Sequence, residues 1–142
     1  MIYLIGIFVL YLYFRYIGPI VIRFKLCNDS TLPTKVVGRV ACYNLYSSDD
    51  DKTIQVGDWK EIQTDVSFNT VKGLGGRAIE GRITVSKEFA QRKGVRNNNT
   101  VFTSNQQISV IIFNRYKYPI RIRRGDKIAQ IEFNRVSEVV NI

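Results

Sequence analysis

Ile120-Arg121-Ile122-Arg123-Arg124-Gly125-Asp126-Lys127-Ile128-Ala129-Gln130-Ile131-Glu132-Phe133 alternates apolar and polar residues on both sides of a Gly-Asp pair. A period of two is the mark of a strand with one face buried. Gly-Asp is a turn dipeptide, so the stretch predicts two strands, 118–123 and 127–136, closed as a hairpin at Arg124-Gly125-Asp126. Arg121 and Arg123 share one face, Ile120 and Ile122 the other, and Ile128, Ile131 and Phe133 are core or subunit-contact candidates. The same texture extends back along the chain. Candidate strands fall at 20–26, 35–46, 52–57, 59–68, 76–85 and 107–114. Turn signals lie at Asn28-Asp29-Ser30, Ser47 to Asp51, Lys72 to Gly76, Asn97 to Asn99 and Asn114 to Lys117. One helical turn is expected over Ser86 to Ala90, with Ser86 as its cap. Seven or eight strands with hardly any helix predict an all-β fold: a sandwich, a jelly roll or a barrel.

The chain has 142 residues, which suits one domain by the usual span of about 100–200 residues. With 45% hydrophobic and 23% charged residues, disorder is excluded. There is no histidine, so mechanisms that need an imidazole base or ligand are excluded. Cys27 and Cys42 are too few for a Cys-rich zinc site and read as two partly buried thiols; a disulfide would require their strands to be neighbours. The acidic run Asp49-Asp50-Asp51 sits in an expected turn, where carboxylates face solvent and repel one another, so it is read as solvated and no metal site is assigned. The net charge of +9 permits nucleic acid or another polyanion as partner. Positives gather in Arg77 to Arg96 and Arg115 to Arg135, the second block interleaved with Tyr116 and Tyr118. Such interleaving suits a single-stranded nucleic-acid groove, and equally a solvated sheet face.

Residues 1–21 form a separate unit, an apolar arm or membrane anchor ahead of a β domain at 22–142. Ile2 to Phe14 is apolar and aromatic except for Gly6, and Arg15 follows. Thirteen residues fall short of the roughly 20 that a spanning helix needs. No basic residue precedes the run and no small-residue cleavage site follows it, so the chain reads as not secreted. Arg15, Arg23 and Lys25 on its C-terminal side would hold the remainder in the cytosol if the run inserts. Membrane contact through residues 1–22 and packing as a strand or helix in an oligomer both stay open.

Several blocks in order resemble the trimeric dUTPase family: Leu32-Pro33-Thr34-Lys35, Ala41-Cys42-Tyr43-Asn44-Leu45-Tyr46-Ser47, Thr53-Ile54 through Gly57-Asp58, Thr64-Asp65-Val66, Val110 to Asn114, and Arg124 to Ile131. The last is similar to the family's G-D-R-I-A-Q-L motif. The resemblance covers about residues 22–140 and implies a distorted jelly-roll β-sandwich that assembles as a homotrimer. It further implies cleavage of dUTP to dUMP and pyrophosphate: a carboxylate activates water, Mg²⁺ gathers the phosphates, and an Arg, a Ser and a Gly-rich tail hold them.

Several positions depart from that pattern. The family's A-G-Y-D-L-Y has Asn44 in place of its Asp, and an amide cannot match a carboxylate. Its G-R-x-A-P-R-S-G, set on Gly76-Arg77-Ala78-Ile79, continues here as Glu80-Gly81-Arg82-Ile83, leaving Arg77 and a displaced Arg82 as candidate nucleotide ligands. Its G-V-I-D has Asn97 in place of the base, in Gly94-Val95-Arg96-Asn97, and asparagine is not basic enough for that role. Phe102 is the candidate stacking surface in place of the family's Tyr, and Gln130 is the member of the late motif that lies close to the phosphates in the family. No Gly/Ser-rich tail follows residue 140. The resemblance therefore implies a catalytically inactive homotrimer without cofactor, reused as a structural or interaction module in the host cytoplasm or a virion, where other virion proteins are its partners. The alternative is a divergent, Mg²⁺-dependent dUTP pyrophosphatase built on Asp65, Glu80, Arg82 or Asp126; a further one is a basic polyanion-binding module.

Overall fold

The computed structural model describes residues 2–16, 21–28, 30–71, 79–87, 89–90, 95–96 and 100–135. Among the described residues, helix α1 (Ile2–Tyr16) precedes the strands β1 (Val21–Leu26), β2 (Thr34–Lys35), β3 (Cys42–Tyr46), β4 (Lys52–Ile54), β5 (Trp59–Val71), β6 (Ile79–Val85), β7 (Val95–Arg96), β8 (Thr100–Phe102), β9 (Gln107–Asn114), β10 (Ile120–Ile122) and β11 (Lys127–Arg135). They form a four-stranded sheet in the order β1-β5-β9-β7, a five-stranded sheet β2-β3-β11-β6-β8 and a two-stranded sheet β10-β4. The all-β expectation holds, and the apolar arm takes the helical form.

Alternation along the strands builds the core. On β9, Ile108, Val110 and Ile112 turn inward, while on β6 the inward set is Ile79, Ile83 and Val85. Leu45, Ile131 and Phe133 join them from the five-stranded sheet, and Ile54, Ile120 and Ile122 from the small one, so all three sheets share one cluster. Aromatic rings tie the two larger sheets together: Phe68 meets Phe133 edge-on at 4.8 Å, and Phe24 meets Tyr43 at 5.1 Å. Such pairs add specific geometry to the burial of their area.

The predicted hairpin is corrected. β10 pairs with β4, Ile120 opposite Ile54, and β11 pairs with β3 and β6, so the two strands belong to different sheets. The turn itself is present, with the Asp126 N–H donating to the Arg123 carbonyl at 3.1 Å and Gly125 at φ 85. That positive φ is one that glycine adopts at no steric cost. A second chain segment enters at the corner: Gly125 N–H donates to the Ser47 carbonyl and Ser47 N–H to the Asp126 carbonyl, at 2.8 and 2.9 Å. Backbone bonding goes to the end of β3, and the chain crosses from one sheet to the next.

Other boundaries differ too. The predicted strand 35–46 is two strands, β2 and β3, which pair with each other around a connection that contains Gly38 at φ 77 and Ala41 at φ 54. The strand expected at 52–57 ends at Ile54, and β7 and β8 are short strands that residue patterning did not reveal. The helical turn at Ser86 is as expected: Ser86 Oγ accepts the Phe89 N–H at 3.2 Å and its carbonyl accepts the Ala90 N–H at 2.8 Å.

Candidate functional site

A row of polar side chains crosses the outer face of the five-stranded sheet. Register sets it: Thr34 on β2 lies opposite Asn44 on β3, Asn44 opposite Gln130 on β11, and Gln130 opposite Thr84 on β6. The inward partners on these strands, Leu45, Ile131 and Ile83, are fully buried, so strand alternation delivers the polar set to the other face. Asn44 Nδ2 donates to Thr34 Oγ1 at 3.1 Å, and Gln130 Nε2 donates to Asn44 Oδ1 at 3.3 Å. Thr34 Oγ1 also lies 2.7 Å from the Tyr46 hydroxyl. Two predicted site residues, Asn44 and Gln130, are thus brought into contact from 86 positions apart. Thr34, Tyr46 and Thr84 were missed. Tyr46 was within reach of the pattern, since it follows Asn44 by two on one strand, but Thr34 enters through the register of β2, which no local signal fixes.

The row is neutral: amides and hydroxyls, with no member that accepts a proton near neutral pH. Carboxylates on the same face have cationic neighbours. Glu132 pairs with Arg39 at 3.2 Å, and Glu80 Oε1 lies 3.9 Å from Arg82 Nη2. Cys42, on the same face two residues before Asn44, is buried at 1% exposure. Burial pushes its thiol above the ordinary range; Arg39 pulls it back and Glu132 adds to the rise.

The remaining predicted residues do not join this row. Arg82 is on β6 opposite Glu132 and Val101, exposed and beside Glu80. Phe102 stands opposite Gly81 on β8 and packs, half-buried, against the core. Arg77 and Asn97 lie outside the described residues. Of the carboxylates offered for an altered enzyme, Asp65 sits at an irregularity of β5 in the other large sheet and accepts Gln107 Nε2 at 3.0 Å. Asp126 closes its own turn, its Oδ2 accepting the Arg123 N–H at 2.8 Å.

Asp50 and Asp51 face solvent as expected, but each carboxylate of the acidic run has a cation beside it rather than only like charges. Asp49 accepts Lys52 Nζ at 2.9 Å and the Gln63 N–H at 2.7 Å, Asp50 faces Arg124 at 3.0 Å, and Asp51 faces Arg121 at 2.6 Å. The hydrogen bond from Arg121, reinforced by its charge, holds the Asp51 carboxyl below its ordinary value. Among the described residues no group of three His, Cys, Asp or Glu side chains is placed to hold a metal ion. The basic block 115–124 is thus partly neutralised, while Ile120 and Ile122 are buried beneath exposed Arg121 and Arg123, as the alternation predicts. Cys27 and Cys42 are both free thiols.

An antiparallel jelly-roll sandwich with a polar amide row on one sheet is the class that fold and geometry define. The dUTPase family model matches residues 28–142. The chain is 27% identical to the deoxyuridine 5'-triphosphate nucleotidohydrolase of Saccharomyces cerevisiae, over 86% of this chain and 81% of that protein. It is 34% identical to the variola virus protein of the same name, over 81% and 76%. Among solved structures, the dUTPase from phage phi11 of S. aureus superposes with a TM-score of 0.71 at 14% identity, over 86% of this chain and 96% of that one. The native EIAV dUTPase gives 0.67 at 22% identity, over 86% and 94%. The chain belongs to the dUTPase family.

Proposed function

We propose that this chain keeps the family scaffold, has lost its hydrolytic chemistry, and works as a homotrimeric structural or interaction module, with a virion as its setting. The observation that carries the reading is the amide at position 44, bonded on one side to Gln130 and on the other to Thr34. Where the resemblance expects a carboxylate, the row holds only neutral groups, and an amide accepts no proton at neutral pH. Asn97, the expected base, is an amide as well. The row offers Mg²⁺ no carboxylate ligand.

The phosphate ligands support the same reading. Gly81-Arg82, rather than Gly76-Arg77, leads at the motif's spacing into the helical turn at Ser86, so the R-S-G positions fall on Ser86-Lys87-Glu88. Ser86 Oγ already caps the turn through the Phe89 N–H, and the sequence has Glu88, a carboxylate, where the motif has glycine. In either register the Arg-Ser-Gly trio is absent.

A second reading, an active dUTP pyrophosphatase, is favoured by the names of the yeast and variola relatives and by the length over which they match. A polyanion-binding role is compatible with the first reading: Arg115, Lys117 and Arg123 are exposed, near Tyr116 and Tyr118 in sequence. The deciding experiment runs pyrophosphate release from dUTP beside binding of a non-hydrolysable dUTP analogue, with the full chain and light-scattering mass. A trimer without turnover is expected. Turnover above a protein-free blank overturns the non-catalytic reading, and a monomer overturns the assembly.

A further inference from the structure

Helix α1 presents its apolar side chains to solvent on every side. Ile7, Phe8, Val9 and Leu10 are consecutive, so at 3.6 residues per turn they point to four different quarters of the helix. All four are more than half exposed, from 58 to 67%, and Tyr3 and Leu4 reach 88 and 73%. A partner helix or a protein groove covers one stripe of such a cylinder and leaves the others wet. A helix apolar all round is matched by surroundings that are apolar all round. The strand that follows supplies charge. On β1, Ile22 and Phe24 turn toward the core, while Arg23 and Lys25 are exposed on the opposite face. Neither cation is ion-paired among the described residues. No helix among the described residues is long and apolar enough to cross a membrane.

We propose that α1 inserts into the acyl layer of an anionic lipid bilayer, with Arg23 and Lys25 meeting the headgroups and tethering the β domain to the surface. This is independent of whether the domain hydrolyses dUTP. Covering large apolar side chains drives the insertion, and each basic residue near an anionic surface strengthens binding by about fivefold.

The test is co-sedimentation of the full chain with phosphatidylcholine vesicles, with and without phosphatidylserine, at low and high salt. The chain is expected to pellet with both, more tightly with phosphatidylserine, the difference fading in salt. Leu4→Asp with Phe8→Asp is expected to cut binding at least about tenfold to both vesicle types. Arg23→Glu with Lys25→Glu is expected to abolish only the preference for the anionic ones. Thermal melts of both variants should match wild type, since the substituted side chains lie outside the core. A chain that stays in the supernatant with both compositions, or binding that the helix substitutions leave unchanged, overturns the proposal. So does a detergent-free oligomer that Leu4→Asp with Phe8→Asp dissociates, because α1 is then covered by other copies of the chain.

Discussion

Gly81, on β6 of the five-stranded sheet, has no room for a side chain. A Cβ built there would stand 2.5 Å from Ile131 Cδ1, 3.0 Å from Ile131 Cγ1 and 3.2 Å from Phe133 Cε1. Both neighbours are buried members of the core cluster on β11, so neither has open space to enter. Overfilling a packed core costs about 1–3 kcal/mol. Ala in place of Gly also narrows the unfolded ensemble, which returns about 0.4–1 kcal/mol. Gly81→Ala should therefore destabilise the protein by roughly 1–2 kcal/mol. Ile131→Val removes the Cδ1 that makes the closest contact and alone should cost about 0.5–1.5 kcal/mol. Because it opens the space the new methyl needs, the double variant should be no less stable than Gly81→Ala alone, a favourable coupling of about 1 kcal/mol. Urea melts followed by far-UV circular dichroism, all at one protein concentration, give the four free energies of this cycle. If Gly81→Ala melts within about 0.3 kcal/mol of wild type, or the two substitutions simply add, the close approach of β6 and β11 is refuted.

Asn114 is buried and serves three backbone partners: it donates to the Ile54 and Tyr118 carbonyls at 2.9 and 2.8 Å and accepts the Tyr116 N–H at 2.9 Å. Asn114→Asp turns two donated bonds into a carboxylate facing two carbonyls, and should cost more than about 2 kcal/mol, with a loss that grows as pH rises through the carboxylate range. The Asp51–Arg121 pair is a second target. Its folded-state pKa is lowered, so any stabilisation is present above the ordinary value of 3.8 and lost as pH falls through the lower, folded one. An NMR titration should find the Asp51 midpoint below 3.8 in wild type, back near it in Arg121→Ala, and closer to it in high salt. The two thiols should separate by accessibility: Cys27 is half-buried and should react with a disulfide reagent in the native state, whereas Cys42 should react only on unfolding. Equal native reactivity would contradict its burial.

The strands were legible because alternation is a local property, and Ile120 with Ile122 or Ile128 with Ile131 reveal buried faces without any partner being known. Partners were not legible. Gly125-Asp126 does form a turn, yet whether the flanking strands pair depends on what else bonds the corner, and Ser47, far back in the sequence, takes those bonds. β7 and β8 are two and three residues long, too short for a period to register. Asn44 and Gln130 were found through family motifs, not through any pattern that joins residues so far apart. The carboxylate run could be seen but not its pairing with Arg121 and Arg124, which comes from β10 lying beside β4. Gly81 reads as one more glycine until β11 is set against it.

Pyrophosphate release from dUTP by the full chain is the most direct test of the central claim. Loss of a general base alone lowers a rate by about 10²–10⁴, and the proposed reading lacks the Arg-Ser-Gly phosphate ligands as well. The account predicts release no faster than a blank without protein, at every Mg²⁺ concentration tried, with the yeast relative active in the same assay. Saturable turnover above that blank would contradict it and assign the chemistry to groups outside the amide row.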